Sequence, residues 1–247
     1  MSRHDLGILA LCVILLVVSL GAVGSRGRTR AKEAVCVSHL RQWASAFDSA
    51  LLDNDGYFPS RDVNDSAWWI GWLWAYHQDA GLMTCPAATD AASDVLPTQR
   101  AWRAGEHVGS YGVNGWMGRP IQDKAGRGYA PRAYHWRTLR VWEGDAVPVL
   151  GDMSWVAALP YESDAPQMAE QSPVAPGGDS EMELVCVNRH DGAVNFFFAD
   201  GFVRKVGLKE LWILKWHTSY NQNGPWTIAG GARPASWPEW MRQFKNF

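Results

Sequence analysis

Cysteine is scarce: the 247-residue chain has four, no two of them in a Cys-x-x-Cys pair. So few build no disulfide scaffold, and without paired spacing they predict no zinc site. The seven His residues are scattered, and none stands four positions from another with the Glu that a metalloprotease helix needs. Also missing are a Gly-x-Ser-x-Gly turn, a phosphate-binding glycine loop and a dinucleotide fingerprint, which removes the common hydrolase and nucleotide-binding signatures. Positive charge is not in excess either. A formal net charge of −2 gives no basic field, so no nucleic-acid partner is expected. "DNDGYF" imitates a calcium loop through Asp53 and Asp55, but Phe58 stands where the sharp turn needs Gly and Asn64 where the bidentate Glu belongs. No cofactor is therefore expected; a calcium ion elsewhere in the head is left open by the sequence.

Tryptophan, in contrast, is abundant. Fifteen Trp residues exceed ordinary usage several-fold, and each can bury about 200 Å² while keeping one N–H to satisfy. They suit a packed core or a sugar-stacking surface, and Trp155, Trp226 and Trp237 are the candidates for stacking on polysaccharide. The acids Glu143, Asp145 and Asp152 lie close in sequence and read as a solvated loop rather than a catalytic set. No catalysis is expected.

Residues 6–24 carry no charge for 19 positions, the length of a membrane segment or signal sequence. Basic residues follow at Arg26, Arg28, Arg30 and Lys32. Beyond them Cys36, Leu40, Trp43, Phe47 and Ala50 step by four, three, four and three, which lays one stripe on a helix face. Asn54, Gly56 and Pro59 stop that helix. The expected organisation is 1–24 as a transmembrane or assembly helix, 25–59 as its continuation and 60–247 as a Trp-rich head. With the head outside the cytoplasm, Cys36 with Cys85 is the favoured disulfide and Cys186 a buried thiol in a strand.

"ELVCVN", "AVNFFFA" and "FVRKV" read as an antiparallel meander over about 184–206, with turns at 189–192 and at Asp200-Gly201. His190 and Asp200 then mark opposite ends of the middle strand. Ten extended residues span about 33 Å, so the two are no catalytic pair and read as turn residues. Residues 162–181 read as an exposed, Pro-rich loop, and short helices close the chain.

His190, nine residues and then Asp200-Gly201 resembles the processing-associated motif of the pilin-like, or type II secretion pseudopilin-like, family. The resemblance extends through "AVCVSHLRQWASAFDSALLDNDGYFP", Cys85-Pro86, "SYGVNGW" and "GDMSW". It implies an α+β fold: a long N-terminal hydrophobic helix packed on a head with a small antiparallel sheet, many loops and short C-terminal helices. It further implies a single-pass bacterial inner-membrane protein with its head in the periplasm or outside the cell. Its partners would be the membrane, other pilin-like subunits or secretion-system components. Gly7, followed by Ile8, stands where prepilins are cut, although the fifth position after the cut is Cys12 where the family has Glu. The function implied is a structural subunit of a type II secretion or type IV pilus-like assembly, and the alternative is an envelope-displayed module binding polysaccharide.

Overall fold

The structure, a computed structural model, describes residues 3–61, 65, 67–88, 99–120, 132–170 and 178–247. Helix α1 (Arg3–Leu52) runs unbroken for 50 residues, about 75 Å at 1.5 Å per residue. Its last third threads the head, with Cys36, Leu40, Trp43, Phe47 and Ala50 all buried along one face. The helix ends where Asp55 and Gly56 turn left-handed and the Gly56 N–H donates back to the Leu51 carbonyl at 2.6 Å.

After α1 come β1 (Ser60–Arg61), α2 (Trp68–Leu73), β2 (Trp102–Ala104), β3 (His107–Gly109), β4 (Tyr111–Asn114) and β5 (Arg119–Pro120). They are followed by β6 (Pro148–Asp152), β7 (Ala157–Ala158), α3 (Met182–Val185), β8 (Ala193–Phe198) and β9 (Val203–Gly207). The main sheet has five strands in the order β7-β4-β6-β8-β9, with β7 parallel to β4 and the other pairs antiparallel. α1 lies across β8 and β9, so the sheet has one face against the helix. Strand β8 is buried at all six positions, as a central strand covered on both sides must be.

Two parts of the expected architecture are corrected. Among the described residues no helix is long and apolar enough to cross a membrane. The transmembrane and prepilin readings of residues 6–24, the single-pass inner-membrane placement and the long hydrophobic pilin-type helix fall on this finding. The sheet, in turn, is a five-stranded mixed one rather than a small antiparallel meander. Its hairpin covers only 193–207, because 182–185 form α3 rather than a strand. The reason is a distant cap: an Asp164 oxygen accepts from the N–H groups of Glu181 and Met182, at 2.9 and 3.2 Å, and so starts a helix there. Cys186 is accordingly a buried thiol at the end of α3. Asn64 and residues 171–177 of the Pro-rich loop lie outside the described residues.

The tryptophans explain how a head with so little regular structure packs. Only Trp74 and Trp142 are exposed, so the indoles are core material. Many also satisfy loop carbonyls: Trp43 donates to Leu82, Trp69 to Val156, Trp116 to Pro160 and Trp212 to Asp164, at 2.7 to 3.0 Å. An indole supplies apolar area and one donor together, which suits a core walled by loops.

Candidate functional site

Four potential ligand residues from distant parts of the chain meet at the junction of α1 and the sheet. Cys36 comes from the last third of α1, and Cys85 from the loop after the 3₁₀ turn Ala80–Met83. Asp152 is the last residue of β6, and His190 sits in the turn before β8. Antiparallel pairing of β6 with β8 sets the end of one strand beside the start of the other, which brings the last two together. One ligand atom from each of the four lies within 4.8 Å of the others, and all four residues are buried.

The contacts are specific. His190 Nε2 lies 3.1 Å from Asp152 Oδ2 and 3.4 Å from Cys85 Sγ. Cys36 Sγ is 3.6 Å from the same Asp152 oxygen. Around them, the Asn195 N–H donates to Asp152 Oδ2 at 2.9 Å, Asn195 Nδ2 to Cys36 Sγ at 3.4 Å and the Ala87 N–H to Cys85 Sγ at 3.4 Å. The Arg189 guanidinium stands 3.4 Å from Asp152 Oδ1 and also donates to the carbonyls of Arg100 and Met153. Backbone geometry presents the His: Asp191 and Gly192 both have positive φ, 55° and 77°, and form a tight turn that projects His190 inward.

The electrostatics follow from this packing. Burial pushes the Asp152 carboxyl up, but the hydrogen bond and charge of His190, with Arg189 beside it, hold it below the usual carboxylate range. Burial likewise opposes charge on His190, yet its hydrogen bonds to Asp152 and Cys85 prevail and push the imidazole up to about 10. A hydrogen bond from Cys36 lowers the Cys85 thiol to about 7 despite burial, while Cys36 rises above the ordinary thiol range. Sulfur, nitrogen and oxygen donors thus converge on one point, an arrangement able to hold a transition-metal ion.

The expected sites fare unevenly. Cys36 and Cys85 do meet, as free thiols beside an Asp and a His that sequence spacing did not link to them. His190 sits in the expected turn before β8, and its side chain also belongs to this buried cluster. Asp200 and Gly201 make the far hairpin turn, with Gly201 at φ +86° and the Asp200 carboxylate accepting from the Phe202 N–H at 3.0 Å. Asp152, read as part of a solvated loop of acids, is fully buried. Trp237 is buried and Trp155 and Trp226 are half-buried against the core, so the three form no exposed stacking row. The Gly7–Ile8 bond lies inside α1, with Ile8 exposed. Arg189, expected only as part of the turn at 189–192, reaches into the cluster beside Asp152.

Fold and cluster together define an α+β head built onto one long helix, with a buried Cys-Cys-Asp-His set at the junction. No family model, no curated protein and no solved structure matches the chain.

Proposed function

We propose that the protein is a non-catalytic, pilin-like structural subunit that assembles with other copies through the part of α1 that precedes its seat in the head. The observation that carries this reading is the uncovered apolar face of that helix segment. Ile8, Leu11, Val13 and Leu15 are 64%, 59%, 54% and 58% exposed, and Cys12 among them is exposed too. At about 100° per residue Ile8, Leu11, Cys12 and Leu15 fall within roughly 100° of arc, while Val13 lies outside that arc. Apolar side chains on one side of a rod gain about 1.5–3 kcal/mol each when a neighbouring helix covers them, and parallel helices are a natural cover. The head contributes shape and rigidity. Its titratable cluster is buried, with Tyr111 and Asn195 beside it, which favours a structural over a catalytic role. The polysaccharide alternative draws no support from Trp155, Trp226 and Trp237, because they pack on the core.

The test uses the full chain. Sedimentation should give oligomers that Ile8→Asp with Leu11→Asp converts to monomer, and mild oxidation should link copies through Cys12, since the other three thiols are buried. A chain that stays monomeric at high micromolar concentration, and that fails to cross-link at Cys12, would refute assembly.

A further inference from the structure

We infer that Cys36, Cys85, Asp152 and His190 form a structural zinc site that fastens α1 to the head. A tetrahedral ion with bonds of about 2.0–2.3 Å sets its ligand atoms roughly 3.3–3.8 Å apart. Separations of 3.1, 3.4 and 3.6 Å already approach three of the six edges of that tetrahedron, and all four ligand atoms lie within 4.8 Å of one another, so binding calls for side-chain shifts of up to about 1 Å.

Ligand chemistry selects the ion. Two thiolates with one imidazole and one carboxylate suit zinc, which accepts S, N and O donors, whereas calcium and magnesium take oxygen sets. All four positions are filled by protein and all four residues are buried. That is the closed form of a structural site, since a catalytic zinc keeps one position for water or substrate.

Charge balance supports the assignment. Two thiolates and the Asp152 carboxylate bring three negative charges into a dry site; a divalent ion and the Arg189 guanidinium bring three positive ones. The total is zero, which a buried polar set needs. The surrounding donors fit as well: the Ala87 N–H points at Cys85 Sγ, Asn195 Nδ2 at Cys36 Sγ and the Asn195 N–H at Asp152, so three of the four ligands are oriented by an outer shell. The ion joins segments separated by 49, 67 and 38 positions, and one of them is the long helix.

The experiment is metal analysis of the full-length reduced protein after exposure to Zn²⁺ and desalting, with X-ray absorption at the zinc edge. One zinc per chain is expected, with about two sulfur ligands near 2.3 Å and two nitrogen or oxygen ligands near 2.0 Å. Co²⁺ in its place should give intense ligand-field bands and thiolate-to-metal charge transfer. Cys36→Ser and Cys85→Ser should each weaken binding more than about 100-fold, beyond the range of outer-shell changes, while Cys186→Ser leaves it unchanged. The absorption spectrum of the unaltered chain does not depend on the variants folding. No bound zinc, a shell without sulfur, wild-type binding by Cys36→Ser, or a Cys36–Cys85 disulfide that persists in mild reductant would each overturn the site.

Discussion

Arg189 lies with its guanidinium 3.4 Å from the Asp152 carboxylate, and both side chains are wholly inaccessible to solvent. Removing one charge of such a pair strands the other without water, a loss of about 3–5 kcal/mol. Asp152→Asn should therefore lower the unfolding free energy by about that amount in urea titration. Asp200→Asn, at the exposed hairpin turn where Asn fits as well as Asp, should change it by less than about 0.5 kcal/mol. Equal losses at the two positions would contradict the placement of Asp152 in the core.

Gly151 packs against β8 with no room for a side chain. A Cβ there would sit 2.5 Å from the Asn195 carbonyl oxygen and press into the Phe196 ring. Gly151→Ala should destabilise by at least roughly 1–3 kcal/mol, the usual range for overpacking. Gly71, in α2, has open space where its Cβ would be. Gly71→Ala should instead stabilise by up to about 1 kcal/mol through helix propensity. Thermal denaturation of both variants checks the opposite signs.

His217 stacks on Tyr134 with ring centroids 4.8 Å apart and stands 3.4 Å from Glu162. Burial lowers its pKa below the ordinary value, and the nearby Glu162 carboxylate only partly opposes this. Below about pH 6.5 the unfolded chain takes up a proton that folded His217 resists, so folding stability must fall as pH drops through that region. The stability difference between pH 7 and pH 5 should be smaller in His217→Gln than in the parent chain. Other groups contribute equally to both chains, so the comparison isolates this residue.

Trp43 fills the seat of α1 while donating its indole N–H to the Leu82 carbonyl at 2.9 Å. Trp43→Ala should cost about 3–5 kcal/mol. Trp142 is 89% exposed, and Trp142→Ala should stay within about 0.5 kcal/mol of the parent. Near-equal effects in calorimetry would mean that the helix face is assigned to the wrong side.

The residues of α1 that face the core were legible because a helix writes its buried face at intervals of three and four, and Cys36 through Ala50 follow it without interruption. The Asp200-Gly201 turn was legible for the same local reason. The Cys36, Cys85, Asp152 and His190 cluster was not, because its members share no spacing: a helix face, a loop, a strand end and a turn converge only after β6 pairs with β8. Asp164 illustrates the limit again. By capping Glu181 and Met182 from 17 and 18 positions away, it makes a helix of a segment whose own residues favour a strand. The composition of the apolar run at 6–24 suggests a bilayer span, whereas among the described residues no helix is long and apolar enough to cross a membrane.

Because α1 continues without a break from Cys36 back to Arg3, about 50 Å of rigid rod extends from the point where the head grips it. Such a rod is a lever with its fulcrum at Cys36. A tilt of only about 5° there would swing the far end by roughly 4 Å, most of the 5.4 Å pitch of a helix. Whatever immobilises Cys36 thus sets the aim of a helix tip far from it, and slack of a few degrees at the head becomes a misalignment of nearly one turn at the other end.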